Sequence, residues 1–139
     1  MNRTEDSMKK LEEARRRYEK FKELFREFQR NLDLLRGDRF PLRYVDVDHD
    51  DGERSNLNFL GRNYCIEFTM VCVDGALKGR IAFYRPIENQ TSNQLKSATF
   101  NGQGELDIEP APGEDPLYID KNSSCSALVL EWIKSEIYS

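Results

Sequence analysis

The residues with chemistry to offer gather in one short stretch, Asp46-Val47-Asp48-His49-Asp50-Asp51-Gly52-Glu53, where five carboxylates flank the only histidine. Three chemistries can be set against it. Dense carboxylates suggest a calcium loop, but the EF-hand pattern needs Gly at its sixth position and Glu at its twelfth. Counted from Asp46 these are Asp51 and Leu57, so neither a metal site nor a cofactor is expected. A histidine near a hydroxyl suggests a nucleophilic triad built from His49, Ser55 and an orienting acid. Nothing around Ser55 resembles a strand-to-helix nucleophile elbow, and one histidine cannot make a multi-histidine zinc site within one chain.

The third chemistry is electrostatic. Asp46, Asp48, Asp50, Asp51 and Glu53 precede the first cation, Arg54, and a second acidic group follows between Lys96 and Lys121, where no Lys or Arg occurs. If hairpin ends bring the two groups to one rim, that rim speeds association with a basic protein and repels nucleic acid. Acidic loops that serve solubility alone are the competing reading.

Other motifs read as structural. Gly102-Gln103-Gly104 lacks the third glycine and the following helix of a phosphate cradle. Cys65, Cys72 and Cys125 are an odd number without metal-ligand spacing and lie on apolar patterns, as small core residues do. Tyr64, Tyr84 and Trp132 could line a pocket, but aromatics at strand and helix period read as core. Arg15-Arg16-Arg17 lies among Glu12, Glu13, Glu19 and Glu23, the pattern of a solvated helix face rather than a phosphate-binding stripe.

The elements that must position these residues follow from periodicity. Leu11, Ala14, Tyr18, Phe21, Phe25, Phe28, Leu32 and Leu35 repeat at three-four spacing with no Gly or Pro between them, which predicts one helix over 4–36. Thr4, Asp6 and Ser7 are candidate N-caps, and Gly37 suits the left-handed residue after the end. Phenylalanine in the seam suits a helix lying across a sheet better than a coiled coil. Such a helix is about 50 Å long, against about 24 Å across five strands. Its first turns, with Leu11, Ala14 and Tyr18, are therefore expected to project and pair with a partner or a second copy.

Leu42 to Asp48 reads as a strand, followed by an acidic loop with turn residues Gly52 and Asn56. Asn63 to Val73 alternates strictly, and Asp74-Gly75 is a two-residue hairpin turn that pairs Val73 with Ala76 and Phe68 with Ile81. In that register Glu67 lies diagonal to Arg80. Lys96–Phe100 and Gly104–Ile108 form a second hairpin with Ala98 opposite Leu106, and Leu117–Ile119 an edge strand. Ser123 or Ser124 caps a last helix over 123–138 with Cys125, Leu128, Val129, Trp132, Ile133 and Ile137 inward. The expected fold is a single α+β domain over 1–139: a long helix across an antiparallel meander of four to six strands over 42–119, closed by a C-terminal helix.

Charge is divided along the chain. Residues 1–43 carry an excess of four positive charges and the remainder an excess of eight negative ones, for the net −4. No apolar run is long enough to span a membrane, and a chain charged from Arg3 onward does not read as a signal peptide, so cytoplasmic residence is the default expectation. The functional expectation is a non-catalytic protein-binding module, a small acidic inhibitor or adaptor that engages a basic partner through acidic loops or the projecting helix, with a homodimer through that helix as one form. The alternative is a small-molecule-binding domain or modest enzyme with a pocket between a curved sheet and the helix.

Overall fold

A run of good helix formers from Arg3 to Arg36, free of Gly and Pro, becomes helix α1 (Arg3–Asp33) and a closing 3-10 turn (Leu34–Arg36). The computed structural model describes residues 2–36, 45–86 and 93–139, with the backbone alone at Arg36, Asp51 and Asn93. After α1 come strands β1 (Val45–Asp51), β2 (Arg54–Phe59), β3 (Arg62–Val73), β4 (Ala76–Arg85) and β5 (Asn93–Phe100), then helix α2 (Asn122–Ile137). The strands pair antiparallel in chain order, so the expected α+β meander is the observed one, with five strands among the described residues.

The N-cap lies two residues before the expected set. Asn2, not Thr4, Asp6 or Ser7, accepts the Glu5 amide on its side-chain oxygen at 2.8 Å. Glu5 and Asp6 then place negative charge against the positive end of the helix dipole. Gly37 lies outside the described residues.

The aromatic stripe docks as its bulk implies. Phe21, Phe25, Phe28 and Leu32 are fully buried. Phe21 meets Phe100 of β5 edge-on at 5.8 Å, while Phe25 stacks on Phe68 of β3 at 5.4 Å and on Phe28 at 5.6 Å. Farther along, Gln29 reaches Ser55 of β2 and Asp33 reaches His49 of β1, so the helix crosses the strands from the β5 side to β1. A side chain at Gly79 would collide with the Phe100 ring, which is why a glycine stands in mid-strand there. Helix α2 covers the same face: Trp132 stacks on Phe83 at 5.5 Å, and the Cys125 thiol lies 3.8 Å from the Phe28 carbonyl.

The β3–β4 register is the expected one throughout, from Val73 opposite Ala76 to Ile66 opposite Phe83. Arg80, expected near Glu67, instead donates to Gln94 across the β4–β5 pair at 2.5 Å. Further expectations need correction. The first strand continues through Asp51 where a loop was expected after Asp48, and Arg54–Phe59 is a strand where a turn was expected around Asn56; residues 42–44 lie outside the described residues. The sheet thus runs over 45–100 rather than 42–119. After Phe100 there is no second hairpin strand, because Leu106 sits opposite Phe100 rather than Ala98. The chain turns instead through hydrogen bonds from the Gln103 and Glu105 amides to the Asn101 side chain, each 3.0 Å. Leu117–Ile119 makes only a bridge, Glu105 to Tyr118. Lys121 takes the N-cap position of α2, while the Ser124 hydroxyl accepts the Tyr118 amide at 2.9 Å from inside the helix.

One turn breaks the rule its neighbour obeys. Asp74-Gly75 holds positive φ at both residues, as does Leu60-Gly61, where Leu60 sits at φ 52°. A leucine in the left-handed region is strained by about 1–2 kcal/mol.

The docking geometry predicts that Phe25→Ala lowers stability by about 3–5 kcal/mol through lost transfer energy and a cavity. The urea midpoint measures it, and an unchanged midpoint would show that the helix does not depend on this contact.

Candidate functional site

The triad members set apart in the sequence do meet. The His49 ring lies between Ser55 and Asp33, with Nδ1 2.8 Å from the Ser55 hydroxyl and Nε2 2.9 Å from an Asp33 oxygen. A carboxylate only accepts, so Nε2 carries the proton. On a neutral ring Nδ1 then accepts from the Ser55 hydroxyl, which itself accepts from Gln29 Nε2 at 3.0 Å. Gln29 also donates to the Arg54 carbonyl at 3.3 Å. Each hydrogen bond in the chain Gln29, Ser55, His49, Asp33 thus has a donor and an acceptor.

Access decides what this arrangement can do. Ser55 is wholly buried and Gln29 nearly so, beneath the crossing point of α1 with β1 and β2. A hydroxyl with no surface and two hydrogen-bond neighbours does not reach a substrate. As built, the network ties the end of α1 to the β1–β2 hairpin. Asp33 was absent from the sequence reading, because only the crossing of the helix over β1 brings it to His49.

The five acids of the 46–53 stretch are divided by the sheet. Val45 and Val47 are buried, so the alternating Asp46 and Asp48 point to the face opposite the helices and are exposed. Asp50 lies 3.8 Å from Arg54. Glu53 turns toward α1, where it accepts from the Tyr18 hydroxyl and lies 3.6 Å from Lys22 Nζ. The Asp51 side chain lies outside the described atoms. The second acidic group begins beyond β5, at the opposite edge of the sheet, so the two groups do not share a rim. Within it Asp107 bonds to Lys78 at 2.7 Å and to Thr99 at 2.6 Å, which hold its carboxyl below the usual range.

Asp46 and Asp48 do acquire neighbours. Cross-strand pairing sets Asp46 opposite Asn58, Asp48 opposite Asn56, and Asn58 opposite Asn63. Together with Arg54 and Pro86 they line an open groove of about 580 Å³. Asn58 donates to Asn63 at 2.7 Å, which fixes both amides. Among the described residues no three His, Cys, Asp or Glu side chains converge on a point that could hold a metal.

The projecting helix is partly as expected. Met8 and Leu11 are 65% and 70% exposed. Ala14 is half-buried beside the β3–β4 turn, in a groove with Leu77. Tyr18 is claimed by the sheet after all, its ring 5.7 Å from Phe68. Arg15 pairs with Glu12 and Glu19 at 2.5 and 2.9 Å, so much of the basic run is internally satisfied.

The aromatic candidates are largely core: Tyr64 stacks on Phe83 at 5.0 Å in the same layer as Trp132. Cys65 and Cys125 are buried, whereas Cys72, expected inside, is exposed near the tip of the β3–β4 ribbon. No helix among the described residues is long and apolar enough to cross a membrane. Comparison with protein-family models, curated proteins and solved structures yields no match. Geometry alone therefore supports a functional reading.

Two outcomes follow. Ser55→Ala removes the buried Gln29–Ser55 hydrogen bond and the link to His49, lowering stability by about 1–3 kcal/mol, as read by urea denaturation. Burial pushes the Cys125 thiol up to about 12 and raises that of Cys65. An aromatic disulfide reagent at pH 8 is therefore expected to label Cys72 rapidly, and the other two thiols only on unfolding.

Proposed function

We propose that this chain is a non-catalytic protein-binding module that takes a basic segment of a partner protein on the outward face of β1 and β2. One arrangement supports the reading. Asp46 and Asp48 project side by side into an open groove with the amides of Asn56, Asn58 and Asn63. Arg54, the only cation among the described lining residues, lies beside Asp50. Carboxylates with flanking amides suit lysine and arginine side chains, which form charge-assisted hydrogen bonds there. Exposed Met8 and Leu11 on α1 offer a second contact to the same partner or to another copy. Two apolar side chains are far less than the roughly 800 Å² per partner of a stable interface, so the helix is the minor element.

A synthetic lysine- and arginine-rich peptide tests the charge element directly. Changing Asp46 and Asp48 together to Asn is expected to weaken binding about tenfold at low salt, with the difference fading as salt rises. Glu114→Gln with Asp115→Asn removes the same charge elsewhere and serves as the control. Equal weakening by both double variants would mean that net charge alone attracts the peptide, and Leu11→Glu would then test the helix.

A further inference from the structure

Leu60 opposes the local structure it occupies. Turns of its kind hold both central residues at positive φ and favour Asn, Asp or Gly at the first. The strain is not offset by burial, since Leu60 is 60% exposed. A residue strained without a gain from burial is a candidate for a functional role.

The surroundings of Leu60 supply one. It stands at a groove of about 410 Å³ between the β2–β3 turn and the last turns of α2. Phe59, Leu130, Ile133 and Ile137 line it with Leu60, and Tyr138, 85% exposed, completes the apolar surface. Among the described residues the one charged lining residue is Lys134. A mostly apolar groove of this volume with few polar groups has the character of a small-molecule site.

Charge selects the occupant. Lys134 now pairs with Glu131 at 2.9 Å, but both side chains are more than 60% exposed, and such a pair contributes little. An incoming anion can therefore take Lys134 from Glu131. Arg62, which donates to the Glu136 carbonyl at 3.5 Å, brings a second positive charge to the same end of α2. A cationic amphiphile would meet like charge at both residues.

We propose that this groove binds a single-chain anionic amphiphile of the fatty-carboxylate class, its chain lying against Leu60 and α2 and its carboxylate paired with Lys134. The site is separate from the acidic face of β1 and β2, and its occupancy does not depend on the protein-binding reading.

Sodium decanoate, kept below its micellar concentration, is the probe, with decanol and decyltrimethylammonium in parallel. The only tryptophan, Trp132, lies next to Ile133 and reports binding to the full chain by fluorescence, with calorimetry as an independent readout. Decanoate is expected to bind saturably at one site and the ammonium compound at least about tenfold more weakly. Leu60→Asn suits the turn better, so it should raise the melting temperature while weakening decanoate about tenfold, as loss of an aliphatic pocket contact does. Lys134→Gln should weaken decanoate and leave decanol unchanged. Absence of saturable binding in both readouts, equal binding of both charged amphiphiles, or full affinity in Leu60→Asn would each overturn the proposal.

Discussion

Everything in this molecule depends on laying a row of phenylalanines across a sheet rather than along another helix. Phe21, Phe25 and Phe28 meet Phe68 and Phe100 at ring separations between 5.4 and 6.2 Å, directly or through one another. Rings of that size fill the roughly 10 Å between a helix axis and a sheet, where leucines would leave gaps. Gly79 is part of the same solution, since its bare backbone makes room for the Phe100 ring. The crossing direction then determines which residues meet at each strand. Because α1 ends over β1, its last turns face the most polar strand of the sheet, and the Gln29, Ser55, His49 and Asp33 network forms where apolar packing runs out.

Both helices occupy one face of the sheet, and that asymmetry organises the surface. The face toward the helices carries Val45, Val47, Leu57, Ile66, Phe68, Ile81 and Phe83, all buried. The other face of β1 and β2 holds carboxylates and amides. β1 is also an edge strand, and edge strands rich in charge resist pairing with other chains. The acidic alternation in Val45–Asp51 thus disfavours pairing of that edge with other chains, and on the proposed reading the same carboxylates border the groove that a basic segment would enter.

The acidic face and the apolar groove differ in the forces they can use. Charges on an open sheet act at long range and are screened by salt, so they affect encounter more than residence. The groove beside Leu60 offers short-range apolar contact with one cation at its margin. The first suits a macromolecule and the second a small amphiphile.

Sequence by itself determined the parts of this protein that rest on local repetition. The long helix follows from three-four spacing without breakers, the β3–β4 register from strict alternation around Asp74-Gly75, and the inner face of α2 from its own period. β2 was not legible, because its turn is Leu60-Gly61 without the usual Asn or Asp, and its outward residue Asn56 read as a turn former. The bend after Phe100 was misjudged by two residues, since side-chain hydrogen bonds from Asn101, not a standard hairpin turn, set its length. Only the tertiary structure could decide which acids act together. Strand alternation sends Asp46 and Asp48 to one face and Glu53 to the other, and the angle of α1 over β1 brings Asp33 to a histidine sixteen residues away. Those outcomes depend on how elements cross, and a crossing angle leaves no periodic trace in either element.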